Sequence, residues 1–186
     1  YIKEKYNKPG NVYLGLVHRL DRMVGGVMVF AKTSKAASRI SEYIRQKNVK
    51  KRYLAVVNGK MKVSDEKIEL RNYLVKNERL NMSRVVDKSV KGAKESILEY
   101  KVLKNFEYKG KEYSLVDIDL HTGRHHQIRV QFASRNHSLS GDQKYGTRGQ
   151  GKQIALWAFS LSFEHPTLKE EMTFEEFTNT VLKKVE

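Results

Sequence analysis

One carboxylate stands among cations near the start of this chain. The segment reads His18-Arg19-Leu20-Asp21-Arg22, followed by Gly25-Gly26 and the apolar run Val27-Met28-Val29-Phe30-Ala31. Positive charge close by favours a carboxylate over a carboxylic acid. Such a group can attack an electrophilic carbon or remove a proton. A lone Asp is more often half of a surface ion pair. Here two arginines flank one acid, and the glycines at 25 and 26 let another backbone come close.

A second candidate segment is His121-Thr122-Gly123-Arg124-His125-His126-Gln127-Ile128-Arg129. A turn and helix start would offer backbone N–H groups, and Arg124 and Arg129 add guanidinium groups, a combination suited to an anion. An ordinary basic helix explains the stretch equally well. His121 and His125, with Asp117 and Asp119 just upstream, also suggest a metal site. His121 falls at a strand end, however, and no second cluster has metal-ligand spacing, so no metal is expected. Tyr53 follows Lys51-Arg52, an aromatic beside cations as in base-stacking sites, although a core tyrosine is the commoner reading of that pattern. Ser140-Gly141-Asp142-Gln143-Lys144-Tyr145-Gly146 reads only as a tight turn. No phosphate-binding glycine fingerprint is present, so no nucleotide cofactor is indicated.

The partner expected from charge is a polyanion. The 186 residues carry 36 Lys+Arg against 21 Asp+Glu, a formal +15. That surplus concentrates phosphate backbones near the surface. The cations are spread along the chain rather than gathered in a basic amphipathic helix or polybasic tract, which favours RNA or DNA over a membrane. No stretch is apolar and long enough to span a bilayer, and none at the N-terminus reads as a signal peptide. With no cysteine, disulfides and thiolate metal sites are excluded, and a cytoplasmic location is expected.

The elements that must position these residues follow from periodicity. A 39% hydrophobic fraction suits one domain over 1–186. Residues 1–12 read as loop, and Val27 to Ala31 as a strand buried on both faces. Thr33 or Ser34 caps a helix over 35–47, with Ala36, Ala37, Ile40 and Ile44 at helical spacing. Tyr53 to Val57 is a buried strand stopped by Asn58-Gly59. Residues 61–95 hold short strands at most. Leu98, Tyr100 and Val102 alternate with polar residues, as do Val116, Ile118 and Leu120, with Lys109-Gly110 as the hairpin turn between them. A helix is expected over roughly 124–135, a strand along Ala155 to Phe163, and a short helix over 173–184. The pattern is α+β: a mixed, largely antiparallel sheet with flanking helices.

At these residues the chain resembles the RluA-type family of RNA pseudouridine synthases. His18-Arg19-Leu20-Asp21-Arg22 with Gly26 and Ala31-Lys32 resembles the family's catalytic-aspartate motif. Lys51-Arg52-Tyr53-Leu54-Ala55 resembles its tyrosine strand. Thr122-Gly123-Arg124 through His126-Gln127-Ile128-Arg129-Val130 resembles its third motif, and Gly141-Asp142, Tyr145-Gly146 and Phe163-Glu164-His165-Pro166 follow in order. The resemblance implies a pseudouridine synthase acting without a cofactor on structured ribosomal or transfer RNA. It implies Asp21 as catalytic acid, Tyr53 stacking on the base, and Arg129 paired with Asp21. Arg19 would fill the gap left by the flipped uridine. His18, Arg22, Arg124, His126 and Gln127 would join Arg19 in contacting RNA.

The family's Thr-Ser before Gly26 is Val24-Gly25 here. Its opening strand and the S4-type RNA-binding domain of some members have no counterpart, so a truncated catalytic domain is expected, acting as a monomer without an obligate protein partner. Two rivals stand beside this reading. One is a non-catalytic RNA-binding protein on a decayed synthase scaffold. The other is a metal-dependent nuclease using Asp117, Asp119 and His121.

Overall fold

Lys109 and Gly110 both adopt left-handed backbone, with φ of 52° and 68°, the geometry that a two-residue hairpin needs. They join β7 (Lys94–Tyr108) to β8 (Lys111–Leu120), the longest strand pair of the computed structural model, which describes residues 1–147 and 153–177. Around this hairpin lie β4 (Lys50–Asn58), β5 (Ile68–Asn77), β6 (Met82–Val86), β9 (Leu156–Glu164) and β10 (Glu171–Glu175). Their order is β10-β9-β4-β8-β7-β5-β6, and every neighbouring pair is antiparallel. The two-residue strand β2 (Gly25–Gly26) adds the parallel pairing, against Trp157 and Ala158 of β9. The α+β class expected from the sequence is the architecture observed.

Among the described residues three helices accompany the sheet. α1 (Ile2–Lys5) is a single turn within the region read as loop. α2 (Ser34–Arg45) is capped by Thr33, whose hydroxyl accepts the Ala36 amide at 3.1 Å, as the sequence suggests. Its Ile40 packs with Ala31, Val49, Leu161 and Phe163. α3 (Gln127–Ala133) has seven residues, shorter than expected, because His126 takes a left-handed φ of 53° and delays the helix start. Ile128 and Phe132 of α3 join the main core with Tyr53, Leu70, Leu98, Tyr100 and Ile118. Gln131 is buried there and donates to the Leu70 carbonyl at 3.0 Å and the Asn72 side chain at 3.1 Å. These bonds fasten α3 to β5.

Three sequence expectations give way to the structure. The strand expected over Val27 to Ala31 shrinks to β3 (Phe30–Ala31), which pairs with β1 (Gly15–Leu16) away from the main sheet. Val27 and Val29 pack instead against the α2 cluster, and Phe30 is exposed. Residues 61–95 hold the ten-residue β5 rather than short strands at most. The helix expected over 173–184 is contradicted at its start, where 171–175 form β10, and its remainder from 178 lies outside the described residues.

The Gly25-Gly26 pair does in the fold what its residue types allow. A Cβ on Gly26, at φ 129°, would stand 2.1 Å from the Ala158 carbonyl oxygen, and one on Gly25 would meet Trp157 at 2.2 Å. Gly26→Ala is therefore expected to destabilise the fold by about 2–5 kcal/mol, from backbone strain plus overpacking. Chemical denaturation of the variant measures this, and a loss below about 0.5 kcal/mol would contradict the close approach.

Candidate active site

Asp21 is presented by a segment that is tied down on both sides. The Val24 amide donates to the Asp21 carbonyl at 2.9 Å, and β2 is fixed to β9 just beyond. Before it, His18 Nε2 accepts the Val29 amide at 3.1 Å. Burial, and then the charge of Lys51, hold the His18 imidazole below its usual pKa. His18 thus braces the loop through Nε2. Leu20 and Val24 pack against the core cluster that contains Tyr53, so the Asp21 turn and β4 share one hydrophobic base.

The partner of Asp21 comes from α3. Arg129 is buried, and its Nη1 donates to Asp21 Oδ2 at 2.5 Å. Its Nε and Nη2 donate to Asp142 Oδ2 and Oδ1 at 2.7 and 2.6 Å, a bidentate clamp. Asp142 is 1% exposed, and its Oδ1 also accepts the amides of Lys144 and Tyr145 at 2.9 and 3.1 Å. One guanidinium therefore joins two carboxylates. Burial disfavours the charge on Arg129, but the hydrogen bonds and charges of Asp142 and then Asp21 raise its pKa overall. Burial likewise works against the Asp142 charge, and Arg129 with the two amides more than offsets it, holding the carboxyl below the usual range.

A third contact reaches Asp21 from His126, whose Nε2 lies 3.4 Å from Oδ2. His126 Nδ1 faces the Tyr145 hydroxyl at 2.9 Å, and that hydroxyl accepts the Ser83 amide of β6 at 2.7 Å. His125 stacks on His126 with centroids 3.7 Å apart and meets Ser83 Oγ at 2.9 Å. Burial, followed by the nearby Arg129 charge, pushes His126 down to about 4, so the ring is neutral at physiological pH. Both Arg129 and His126 address Oδ2. Oδ1 of Asp21 has no partner among the described residues, which leaves one oxygen anchored and one available for chemistry.

The flanking arginines do not supply the charge that their position beside Asp21 suggests. Arg19 and Arg22 are exposed and make no ion pair among the described residues, so the cation that holds Asp21 is Arg129. Arg124 is also exposed, but its Nε donates to the Glu95 carbonyl at 2.8 Å. Gln127, expected to contact RNA, is buried. Its Oε1 accepts from the Thr122 hydroxyl and the Arg124 amide, and its Nε2 donates to the Ile97 carbonyl. It holds the 122–127 turn on β7 with both side-chain polar atoms engaged within the fold. Tyr53 is 9% exposed, and burial pushes its hydroxyl up to about 12. Asp117, Asp119 and His121 do not converge: Asp117 pairs with Arg52, Asp119 with Lys67, and His121 with Glu99. The nuclease arrangement is absent from these three side chains.

Sequence reasoning missed Asp142, Tyr145 and Ser83, because it took 140–146 for a turn and 61–95 for weak structure. It also passed over Lys51. This lysine is half-buried, its Nζ lies 3.7 Å from where a Gly123 side chain would begin, and it has no anionic partner among the described residues. Burial lowers its pKa.

Comparison with known proteins places this geometry in context. The RNA pseudouridylate synthase family model matches residues 1–134. A protein of Aquifex aeolicus named as an uncharacterized RNA pseudouridine synthase is 34% identical, over 94% of this chain and 56% of its own length. The ribosomal large subunit pseudouridine synthase D of Neisseria meningitidis serogroup A is 36% identical, over 87% and 44%. The tRNA pseudouridine synthase C of Haemophilus influenzae is 35% identical, over 84% and 71%. The chain thus spans about half the length of the first two relatives. Among solved structures, human RNA pseudouridylate synthase domain containing 1 superposes with a TM-score of 0.77 at 23% identity, covering 96% of this chain and 72% of that one, a likeness of fold.

Proposed function

The chain belongs to the RluA-type family of RNA pseudouridine synthases, and from that premise we propose that it isomerises specific uridines to pseudouridine in ribosomal or transfer RNA, with Asp21 as the catalytic carboxylate. The observation that carries the reading is the anchored carboxylate: Oδ2 held by buried Arg129, Oδ1 without a partner among the described residues.

The chemistry asks for little else. The N-glycosidic bond breaks, the uracil turns, and a carbon of its ring bonds to the same sugar carbon. The proton lost from that ring carbon is balanced by one gained at the freed nitrogen. No electrons enter or leave, so no redox cofactor is required. Attack on sugar or base and removal of a sugar proton both need a carboxylate with one free oxygen and a fixed orientation. The uridine must leave its stack before a carboxylate can reach it. Arg19 and Arg22 are the exposed cations nearest in sequence to Asp21 that can meet the displaced strand, and Tyr53 contributes to the floor beneath the Asp21 turn. The partner is structured RNA rather than a membrane, the location cytoplasmic, and the acting unit a monomer.

Val24-Gly25 motivated the reading of a decayed, non-catalytic scaffold. The structure gives the glycine a packing cause, since the Trp157 ring occupies the space of a side chain at 25. The complete Asp21–Arg129–Asp142 assembly supports catalysis instead. Site-resolved pseudouridine mapping of cellular RNA with and without the gene tests the proposal. At least one uridine is expected to lose its modification when the gene is removed, and an unchanged map would contradict it.

Lys51 supplies a further test of RNA engagement. A half-buried cation with no anionic partner among the described residues costs stability and suits a phosphate. Lys51→Met is expected to raise the melting temperature by a few degrees while weakening RNA binding and reducing its salt slope by about one. Melting curves and binding titrations across salt measure both. A lower melting temperature with unchanged binding would contradict this role.

A further inference from the structure

We infer that His126 is a positioning residue for the reaction: its imidazole, fixed as the Nε2–H tautomer by Tyr145, directs that proton at Asp21 Oδ2 and so reserves Oδ1 as the reacting oxygen. The inference rests on the proposed isomerase reading.

The tautomer follows from the hydrogen-bond chain. The Tyr145 hydroxyl accepts the Ser83 amide at 2.7 Å and has one proton to give, and His126 Nδ1 lies 2.9 Å away. If Nδ1 carried the ring proton, that hydroxyl would have to accept twice, and the bare lone pair of Nε2 would face a carboxylate oxygen at 3.4 Å. That arrangement is repulsive. With Nδ1 accepting, the Ser83 amide donates to Tyr145 and Tyr145 to His126, and the Nε2–H lies 3.4 Å from Asp21 Oδ2, close but short of a hydrogen bond. The His126 side chain is 6% exposed, and its left-handed backbone, which His tolerates better than most residues, turns the ring back toward the loop that carries Asp21. At 3.4 Å the last contact is loose, and contacts of this kind shorten when substrate closes the site.

The charged and titratable groups around the ring are Asp21, Arg129, His125, Lys144 and Tyr145. Asp21 favours a proton on the second nitrogen, while Arg129, His125 and Lys144 oppose it, behind the larger effect of burial. The Tyr145 hydroxyl adds a donor that only the neutral ring can accept. Without that hydroxyl the ring takes up a proton at higher pH, and a cation on Oδ2 lowers the basicity of the whole carboxylate. Turnover is then lost on the acid side.

Two measurements test this. Nitrogen-15 imidazole spectra of the protein are expected to show His126 with Nδ1 bare and Nε2 protonated from about pH 5 to 9. A protonated Nδ1, or an even mixture, would overturn the inference without reference to activity. In steady-state reactions on unmodified ribosomal and transfer RNA transcripts, Tyr145→Phe is expected to lower kcat about tenfold. KM should stay unchanged, and the acid limb of the kcat profile should move to higher pH. His126→Asn, which suits the same backbone, should lower kcat similarly but add no new acid limb. A Tyr145→Phe enzyme with the wild-type kcat and profile would overturn the inference. If the wild-type protein modifies no transcript, it is the isomerase reading that fails, and the spectra still decide the tautomer.

Discussion

Asp21→Asn is expected to abolish pseudouridine formation, by a factor on the order of 10⁴ or more, while leaving RNA binding and stability nearly intact. The substitution keeps the shape of the side chain and an oxygen for Arg129 Nη1. It removes the negative charge and the basic lone pairs, and an amide neither attacks carbon nor takes a proton at useful rates. The fold is protected because Arg129 keeps its bidentate partner Asp142. Binding is protected because the exposed cations Arg19 and Arg22 are untouched. Rate measurements, RNA titration and melting curves on the variant separate these effects. A variant that lost binding or folding along with turnover would assign Asp21 a structural role.

Arg129→Ala is expected to remove both turnover and part of the stability. The Arg129 side chain is 6% exposed and its guanidinium serves two carboxylates, one of them wholly enclosed. Breaking a buried pair by removing one member costs about 3–5 kcal/mol, because the other charge is stranded. The pH dependence has a definite sign. The folded pKa of Asp142 is depressed, so its pairing contributes stability that is present above the unfolded carboxyl value, about 3.9. That contribution is lost as pH falls through the lower folded value. The variant lacks it at every pH. The gap between wild type and Arg129→Ala should therefore be widest near neutrality and close as the solution is acidified. Denaturant unfolding at neutral and acid pH measures this. A gap independent of pH, or a variant with full turnover, would contradict the shared-cation arrangement.

The parts of the site that are local in sequence were legible there. The Asp21 segment, the Thr33 cap and the Lys109-Gly110 turn each act within a few residues of themselves. The contact between Asp21 and Arg129, 108 residues apart, was expected from family resemblance, since no spacing encodes it. Asp142 was legible as a turn residue and as one step in the family's motif order, with no role attached. Its chemistry depends on Leu139 and Ser140 being bound to Val57 and Val56 of β4, which carries the loop to α3. β5 was missed for a physical reason: Leu70 and Leu74 are its buried positions, and between them the row holds Asn72, which receives Gln131 of α3 and Arg135 just beyond its C-terminal end. A polar residue doing core work broke the alternation. The run Val27 to Ala31 misled in the opposite sense, because Val27, Val29 and Ala31 serve the α2 cluster and only Phe30 and Ala31 pair, with β1 rather than with the main sheet.

The central claim, that Asp21 makes this protein a uridine isomerase, is tested most directly by hydrogen release. Unmodified ribosomal and transfer RNA transcripts carrying tritium at the uracil ring carbon that forms the new bond lose that label when the bond is made. The wild-type protein is predicted to release tritium from at least one transcript, and Asp21→Asn to release none while still binding it. Equal release by both proteins would contradict the account.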